Sequence, residues 1–138
     1  MLIYNGIITL DYTPSTDVLV TSMPDVRQFG LSEVSFCLGL IVENITNYDI
    51  KHLLLDSSNS IVDVEEQAYR AISMKFAMDL MGTRLKKIAR VGTADAVREE
   101  KAAKLSAELT QELNPTMVSQ SFSSQAEAMA WLLSSARA

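Results

Sequence analysis

One cysteine, one histidine and five glycines, no two of them adjacent, are spread over 138 residues. Each scarcity removes a class of chemistry. A lone Cys37 cannot build an internal disulfide framework and fits a reducing compartment. A lone His52, early in a strand pattern and far from Cys37, offers no Ser-His-Asp or Cys-His arrangement. One histidine and one cysteine cannot make a zinc site, and no Asp-x-Asp-x-Asp-Gly loop exists for calcium. Isolated glycines exclude a Gly-x-Gly-x-x-Gly or Walker loop that would cradle phosphate. No metal, cofactor or catalytic residue is therefore expected, and the chain reads as a non-enzyme.

Long apolar runs are also missing. The longest uncharged one, Val34 to Val42, is too short to cross a bilayer. Met1 to Gly6 has no basic stretch leading into an apolar core, so no secretory signal is expected and the cytoplasm is the expected location. A net charge of −5 argues against a broad footprint for nucleic acid or anionic lipid. Base is scarcest in the first fifty residues, where Arg27 alone faces Asp11, Asp17, Asp25, Glu33, Glu43 and Asp49. Arg84, Lys86, Lys87 and Arg90 then crowd into one segment. They read either as a solvated rim that guards a sheet edge or as a dock for an acidic partner, such as the acidic half of a second copy.

What is present is an ordinary globular composition, 48% hydrophobic and 21% charged, on a chain long enough for a single core. No linker or repeat divides it, so residues 1–138 are expected to form one domain. Ile7–Tyr12 and Asp17–Met23 are β-rich, and Thr13-Pro14-Ser15-Thr16 between them predicts a hairpin. Leu31–Thr46 carries Val34, Leu38, Ile41 and Ile45 at helical spacing. Val34–Val42 alone would also pass for a buried strand, and length decides for a helix.

A strand at Lys51–Asp56 precedes a helix that opens with Asp63 and Glu66 in capping-box spacing. That helix carries one stripe of Ala68, Ile72, Phe76 and Leu80 and a second of Ala71, Met74, Met78 and Met81. Gly82 predicts a left-handed stop. Arg84–Gly92 is the next strand. Thr93 is expected to open a helix carried on Val97, Leu105, Leu109 and Leu113 and ended by Asn114-Pro115. Thr116–Phe122 is the last strand, and Ser124 with Glu127 caps the last helix. Strand and helix in alternation predict an α/β fold with a mixed, mostly parallel sheet, an N-terminal β-hairpin and about four helices joined by right-handed crossovers.

This order, with the Leu53-Leu54-Leu55-Asp56 and Lys87-Ile88-Ala89-Arg90-Val91 strands and the closing Glu127-Ala128-Met129-Ala130-Trp131-Leu132, resembles the anti-sigma-factor-antagonist (STAS, SpoIIAA-like) superfamily. It is most similar to small bacterial members with a Glu-Ala-x-x-Trp-Leu ending, over roughly Leu31 to Leu133. The resemblance implies a βα superhelix used for protein–protein regulation or small-ligand sensing. Founding members of the superfamily are phosphorylated at a serine in an Asp-Ser-Ser-Gly string at a helix start. Asp56-Ser57-Ser58-Asn59 is similar, but Asn59 replaces the glycine. No serine opens the helix at Val62–Glu66, so the phosphosite is not carried over to Ser57 or Ser58.

Ligands of open α/β sheets sit beyond the carboxyl ends of parallel strands, near helix N-termini. That edge would gather Asp56, Ser57, Ser58, Gly92 and Thr93 as a candidate ligand or partner site. Glu65-Glu66 and Glu99-Glu100, adjacent on helices, diverge and read as solvated first-turn carboxylates. Met74, Met78, Met81, Met117 and Met129 read as core fillers; exposure of Met78 and Met81 would instead mark an adaptable binding face or dimer interface. The expected function is a regulatory or protein-interaction module whose partner is another protein or a second copy. The alternative is a small-ligand or lipid-binding domain with an apolar cavity beneath the first helix.

Overall fold

The computed structural model describes residues 2–6, 8–23, 31–58 and 66–134. Strands β1 (Leu2–Asn5), β2 (Thr9–Thr13) and β3 (Val18–Ser22) come first. Then follow α1 (Leu31–Tyr48), β4 (His52–Asp56), α2 (Glu66–Met81), β5 (Lys87–Val91), α3 (Ala96–Leu113), β6 (Val118–Phe122) and α4 (Gln125–Leu132). The strands lie side by side in chain order in one six-stranded sheet. β1–β2 and β2–β3 pair antiparallel, whereas β3–β4, β4–β5 and β5–β6 pair parallel. The fold is thus α/β with a mixed, mostly parallel sheet and four helices.

That order follows from the connections. Antiparallel neighbours need only a tight turn, and the one at Thr13–Thr16 closes when the Asp17 N–H donates to Thr13 O at 2.9 Å. Asp17 adopts a left-handed φ of 57°. Its carboxylate accepts from the Tyr12 hydroxyl at 2.8 Å and the Lys51 N–H at 3.3 Å, tying the hairpin to the start of β4. Burial, reinforced by the Asp17 bond, pushes the Tyr12 hydroxyl up to about 12.

Each parallel step needs a crossover helix, and successive steps all move the same way. Right-handed crossovers then set α1, α2 and α3 on one face. There Leu10, Leu19, Leu53 and Ile88 of the strands meet Val34, Cys37, Ile41 and Ile45 of α1 and Leu80 of α2. On the other face Val18, Leu54, Ala89 and Val91 meet Ala128 and Leu132 of the short α4. Side chains alternate along a strand, so a central strand covered on both faces is apolar at consecutive positions, as Leu53 and Leu54 are.

Segment 31–48 is one helix. Its buried residues, Val34, Cys37, Leu38, Ile41 and Ile45, recur at three- and four-residue steps, while Ser32, Glu33, Ser35, Phe36 and Gly39 face out. A strand would have buried alternate residues instead. A Cβ at Gly39 would meet nothing within 4 Å. Gly39→Ala is therefore expected to stabilise the chain by about 1 kcal/mol, through helix propensity and a less flexible unfolded state. A thermal melt that fails to rise would show that the glycine is needed for something other than its backbone.

Two helix ends differ from expectation, and a third is not described. Asp63, the expected start of α2, lies outside the described residues. Gly82 does not adopt a left-handed conformation, because no glycine among the described residues has positive φ. Instead α2 tightens at its end: Gly82 N–H donates to Asp79 O at 3.2 Å and Thr83 N–H to Leu80 O at 3.0 Å. The Thr83 hydroxyl also donates to Leu80 O at 2.6 Å, so a side chain replaces the glycine stop. Asp95, not Thr93, caps α3, its carboxylate accepting from the N–H groups of Val97 and Arg98. The other ends behave as read. Asn114 closes α3 in the left-handed region, and Ser124 caps α4 by accepting from the Glu127 N–H. No described helix is long and apolar enough to cross a membrane.

Candidate functional site

Strands β4, β5 and β6 end in register at Asp56, Val91 and Phe122. The ladder continues one step further, with Ser57 N–H donating to Val91 O and Gly92 N–H to Phe122 O, both at 2.9 Å. Asp56, Ser57, Ser58, Gly92 and Thr93 therefore share one edge, as the strand pattern predicts. They form two clusters rather than one. Asp56 lies on the α4 side, where its carboxylate accepts from the Gln125 side-chain amide at 3.4 Å. Its other oxygen accepts from the Ser58 N–H at 3.0 Å and the Ser58 hydroxyl at 2.6 Å, a local turn.

Thr93 belongs to a second cluster, built on Glu99 of α3. Its N–H and its hydroxyl both donate to one oxygen of Glu99 at 3.0 Å. Arg90 of β5 grips the same carboxylate with two guanidinium nitrogens, at 2.7 and 3.2 Å. The Arg90 bond, aided by those from Thr93 and opposed by burial, holds the Glu99 carboxyl down to about 2. Gly92 lies against this cluster, and a Cβ there would run into the Glu99 carboxylate. Its role is space for a close approach, not backbone freedom. Glu99 is not a solvated first-turn carboxylate but the clasp that fastens α3 to the sheet; Glu100 beside it is exposed.

These contacts bear on what the edge can bind. A helix N-terminus attracts anions through free N–H groups and its dipole. Asp95 and Glu99 already bring carboxylates to α3, and Ser124 and Glu127 cap α4. Ligand crevices in open α/β sheets open where strand order reverses. Order here never reverses, so α1, α2 and α3 stay on one face and nothing splays apart. Depressions among the described residues lie elsewhere. One of about 40 Å³ sits between α1 and α2, against Leu38, Gly39, Ile72 and Phe76, and has room for a single water. Another, about 320 Å³, is a charged hollow bordered by Arg70 of α2 and Glu108, Gln111 and Glu112 of α3.

The four crowded bases do not form a patch. The two-residue period of a strand sends Lys87 and Arg90, three apart, to opposite faces. Lys87 is only 6% exposed; its ammonium donates to Trp131 O at 3.3 Å and Ser134 O at 3.2 Å and lies 5.1 Å from the Trp131 ring centre. It is a cation at the C-terminus of α4, supplied by another element. Arg90 is spent on Glu99. Arg84, exposed, reaches Asp49 at 3.4 Å, and Lys86 is exposed at the strand start.

His52 and Cys37 stay apart. The His52 Nδ1–H donates to Asp17 O at 3.1 Å. Cys37 is buried in α1, its thiol pushed up by that burial and then by Glu33. Among the described residues no three His, Cys, Asp or Glu side chains gather as metal ligands.

Among the described residues, β6 leaves one edge of the sheet unpaired. It is the outermost strand, with one neighbour among the described residues, and Val118, Ser119, Gln120 and Ser121 are all exposed. Val118 N–H donates inward to Lys86 O, and Phe122 O accepts inward from Gly92. Backbone groups alternate sides along a strand, so those of Ser119 and Ser121 point out. At the other end of the sheet β1 carries a register irregularity between Leu2 and Tyr4, the kind of device that blunts an edge. β6 pairs with β5 without a shift and bears no charge, proline or glycine.

The α3 helix that precedes β6 has no buried residue. Val97, expected on its inner stripe, is 62% exposed. Met78 and Met81 of α2 are exposed too, Met78 by 54%, while Met74 is half-buried and Met117 is core. The uncharged Val-Ser-Gln-Ser-Phe string was visible in the sequence; that it ends the sheet depends on strand order, which no local pattern carries. No protein-family model, curated protein or solved structure matches the chain.

Proposed function

We propose that this chain is a non-enzymatic regulatory module that acts by binding protein, with the β6 side of its sheet as the contact surface. The observation that carries the reading is the outer edge of β6, which no described strand covers. Folded monomers protect an outer strand with charge, proline, a bulge or a covering helix, because an open row of N–H and C=O groups recruits another chain. β6 has none of the first three, and α3, the helix that precedes it, buries no residue. A partner that adds a strand there gains main-chain hydrogen bonds, and exposed Val118 gives it an apolar foothold.

The resemblance to the anti-sigma-factor-antagonist superfamily, which implies protein–protein regulation or small-ligand sensing, accords with this reading. A single cysteine, buried in the core, suits a reducing compartment such as the cytoplasm. The small-ligand reading draws no support from the 40 Å³ space between α1 and α2.

The test is Ser121→Pro, which deletes an outward N–H that the β5–β6 ladder does not use. Tagged wild-type chain is expected to run in its own cells in complexes larger than a dimer of itself, and the variant to lose them. Equal elution of both proteins as free chain would sink the proposal.

A further inference from the structure

We infer that β6 also pairs with the β6 of a second copy, antiparallel about a two-fold axis passing beside Gln120. This rests on the reading of β6 as the contact surface and names one of its partners. The outward backbone groups belong to Ser119 and Ser121, which flank Gln120 symmetrically. In an antiparallel pair centred there, Ser119 of each copy stands opposite Ser121 of the other, and each such couple exchanges two N–H···O=C bonds. Gln120 meets Gln120 at the axis as a non-hydrogen-bonded couple, the kind in which side chains come closest. The register therefore satisfies every outward group of the strand core without strain or slip.

The side chains fit the same register. Val118, Gln120 and Phe122 lie on the α4 face of the sheet, so Val118 of one copy packs beside Phe122 of the other. Val118 is 44% exposed, while Phe122 is already braced by Trp131 with ring centres 5.5 Å apart. Two side-chain amides face each other at the centre, where each can both donate and accept. On the opposite face serine meets serine.

Charge agrees as well. Nothing charged lies on the strand, so no like charges oppose each other across it. The start of β6 adjoins exposed Lys86, and its end leads into α4 with exposed Glu127 in the first turn. Antiparallel pairing brings the basic end of one copy beside the acidic end of the other; parallel pairing would place like beside like. A two-fold contact of this type is closed. It uses up both β6 edges, and the irregular β1 edges at the ends of the widened sheet discourage further growth.

Sedimentation equilibrium of the purified full chain tests this. Wild type is expected to show twice the chain mass in a concentration-dependent equilibrium. S119K/S121K sets lysine against lysine twice across the axis and is expected to sediment as a single chain. S119E/S121K sets glutamate against lysine twice and is expected to restore the dimer. Both variants change the same two exposed positions, and matching circular dichroism melts exclude a difference in folding. A wild type of single mass at all concentrations, a dimeric S119K/S121K, or an S119E/S121K that stays monomeric would each overturn the inference. A monomeric wild type with Ser121→Pro-sensitive complexes in cells would overturn it while leaving the proposed function standing.

Discussion

Replacing Glu99 with alanine is expected to lower stability by about 2–3 kcal/mol and to free the first turns of α3 from the sheet. The carboxylate takes two bonds from Arg90 and two from Thr93. Arg90 and Glu99 side chains are 24% and 29% exposed. The pair is thus worth more than a surface salt bridge, and its loss leaves a half-buried guanidinium unpaired. α3 has no buried residue to hold it otherwise. Gly92→Ala should do similar damage by a different route, because a Cβ there would lie 2.7 Å from Glu99 Cδ and 3.0 Å from an Arg90 nitrogen. Both changes break one clasp, so G92A/E99A is expected to cost little more than the worse single change. Additive urea-unfolding energies would show that Gly92 matters for another reason.

Acid makes the same point without a mutation. The folded carboxyl sits near 2 against an ordinary 4.5, so the unfolded chain takes up a proton first as pH falls. The stabilisation is complete above pH of about 4.5 and disappears as pH approaches about 2, with an amplitude on the order of 2 kcal/mol after solvent screening. Glu99→Gln is neutral throughout and should flatten that part of the stability profile. Parallel acid limbs for the two proteins would locate the titrating group elsewhere.

Local chemistry in the sequence foretold much of the fold. The Leu53–Leu55 run, the Ser124–Glu127 cap and the Asn114-Pro115 stop act over a few residues and appear where their spacing puts them. Expectation failed where a side chain took a partner that the spacing did not announce. Thr83 reaches back to cap α2 and relieves Gly82 of a left-handed turn. Glu99 draws Thr93 away from capping α3, leaving that to Asp95. The basic run dissolved because strand alternation and two partners from other elements, Glu99 and the end of α4, divided it.

The candidate site depended on one more quantity, the order of strands. A sheet wound in one direction has no reversal and hence no crevice at its carboxyl edge. The same winding leaves its last strand with one strand neighbour among the described residues. A polar edge whose groups bond each other and an outer strand whose groups bond nothing outward among the described residues are two consequences of a single topology.

Lys87→Glu is expected to have the largest effect of any single change considered, about 4 kcal/mol or more, with α4 detached from the sheet. The wild-type ammonium is nearly buried and sits between the sheet and the last carbonyls of α4. A carboxylate there would face those carbonyl oxygens and the negative end of the helix dipole, with no donor in place of the lost one. Typical domains have about 5–15 kcal/mol in total, so the loss consumes a large share.

Two milder variants separate charge from bulk. Lys87→Met keeps the aliphatic stem. The Trp131 carbonyl already accepts from Ser134 N–H at 3.2 Å, and Ser134 is open to water, so methionine should cost about 1 kcal/mol or less. Lys87→Ala also removes the stem from beneath Trp131 and should cost about 3 kcal/mol through the space it opens. Trp131 is the sole tryptophan, so its emission reports directly on whether α4 stays docked. A Lys87→Glu protein that melts like wild type with unchanged Trp131 emission would mean that the ammonium does not hold the helix down.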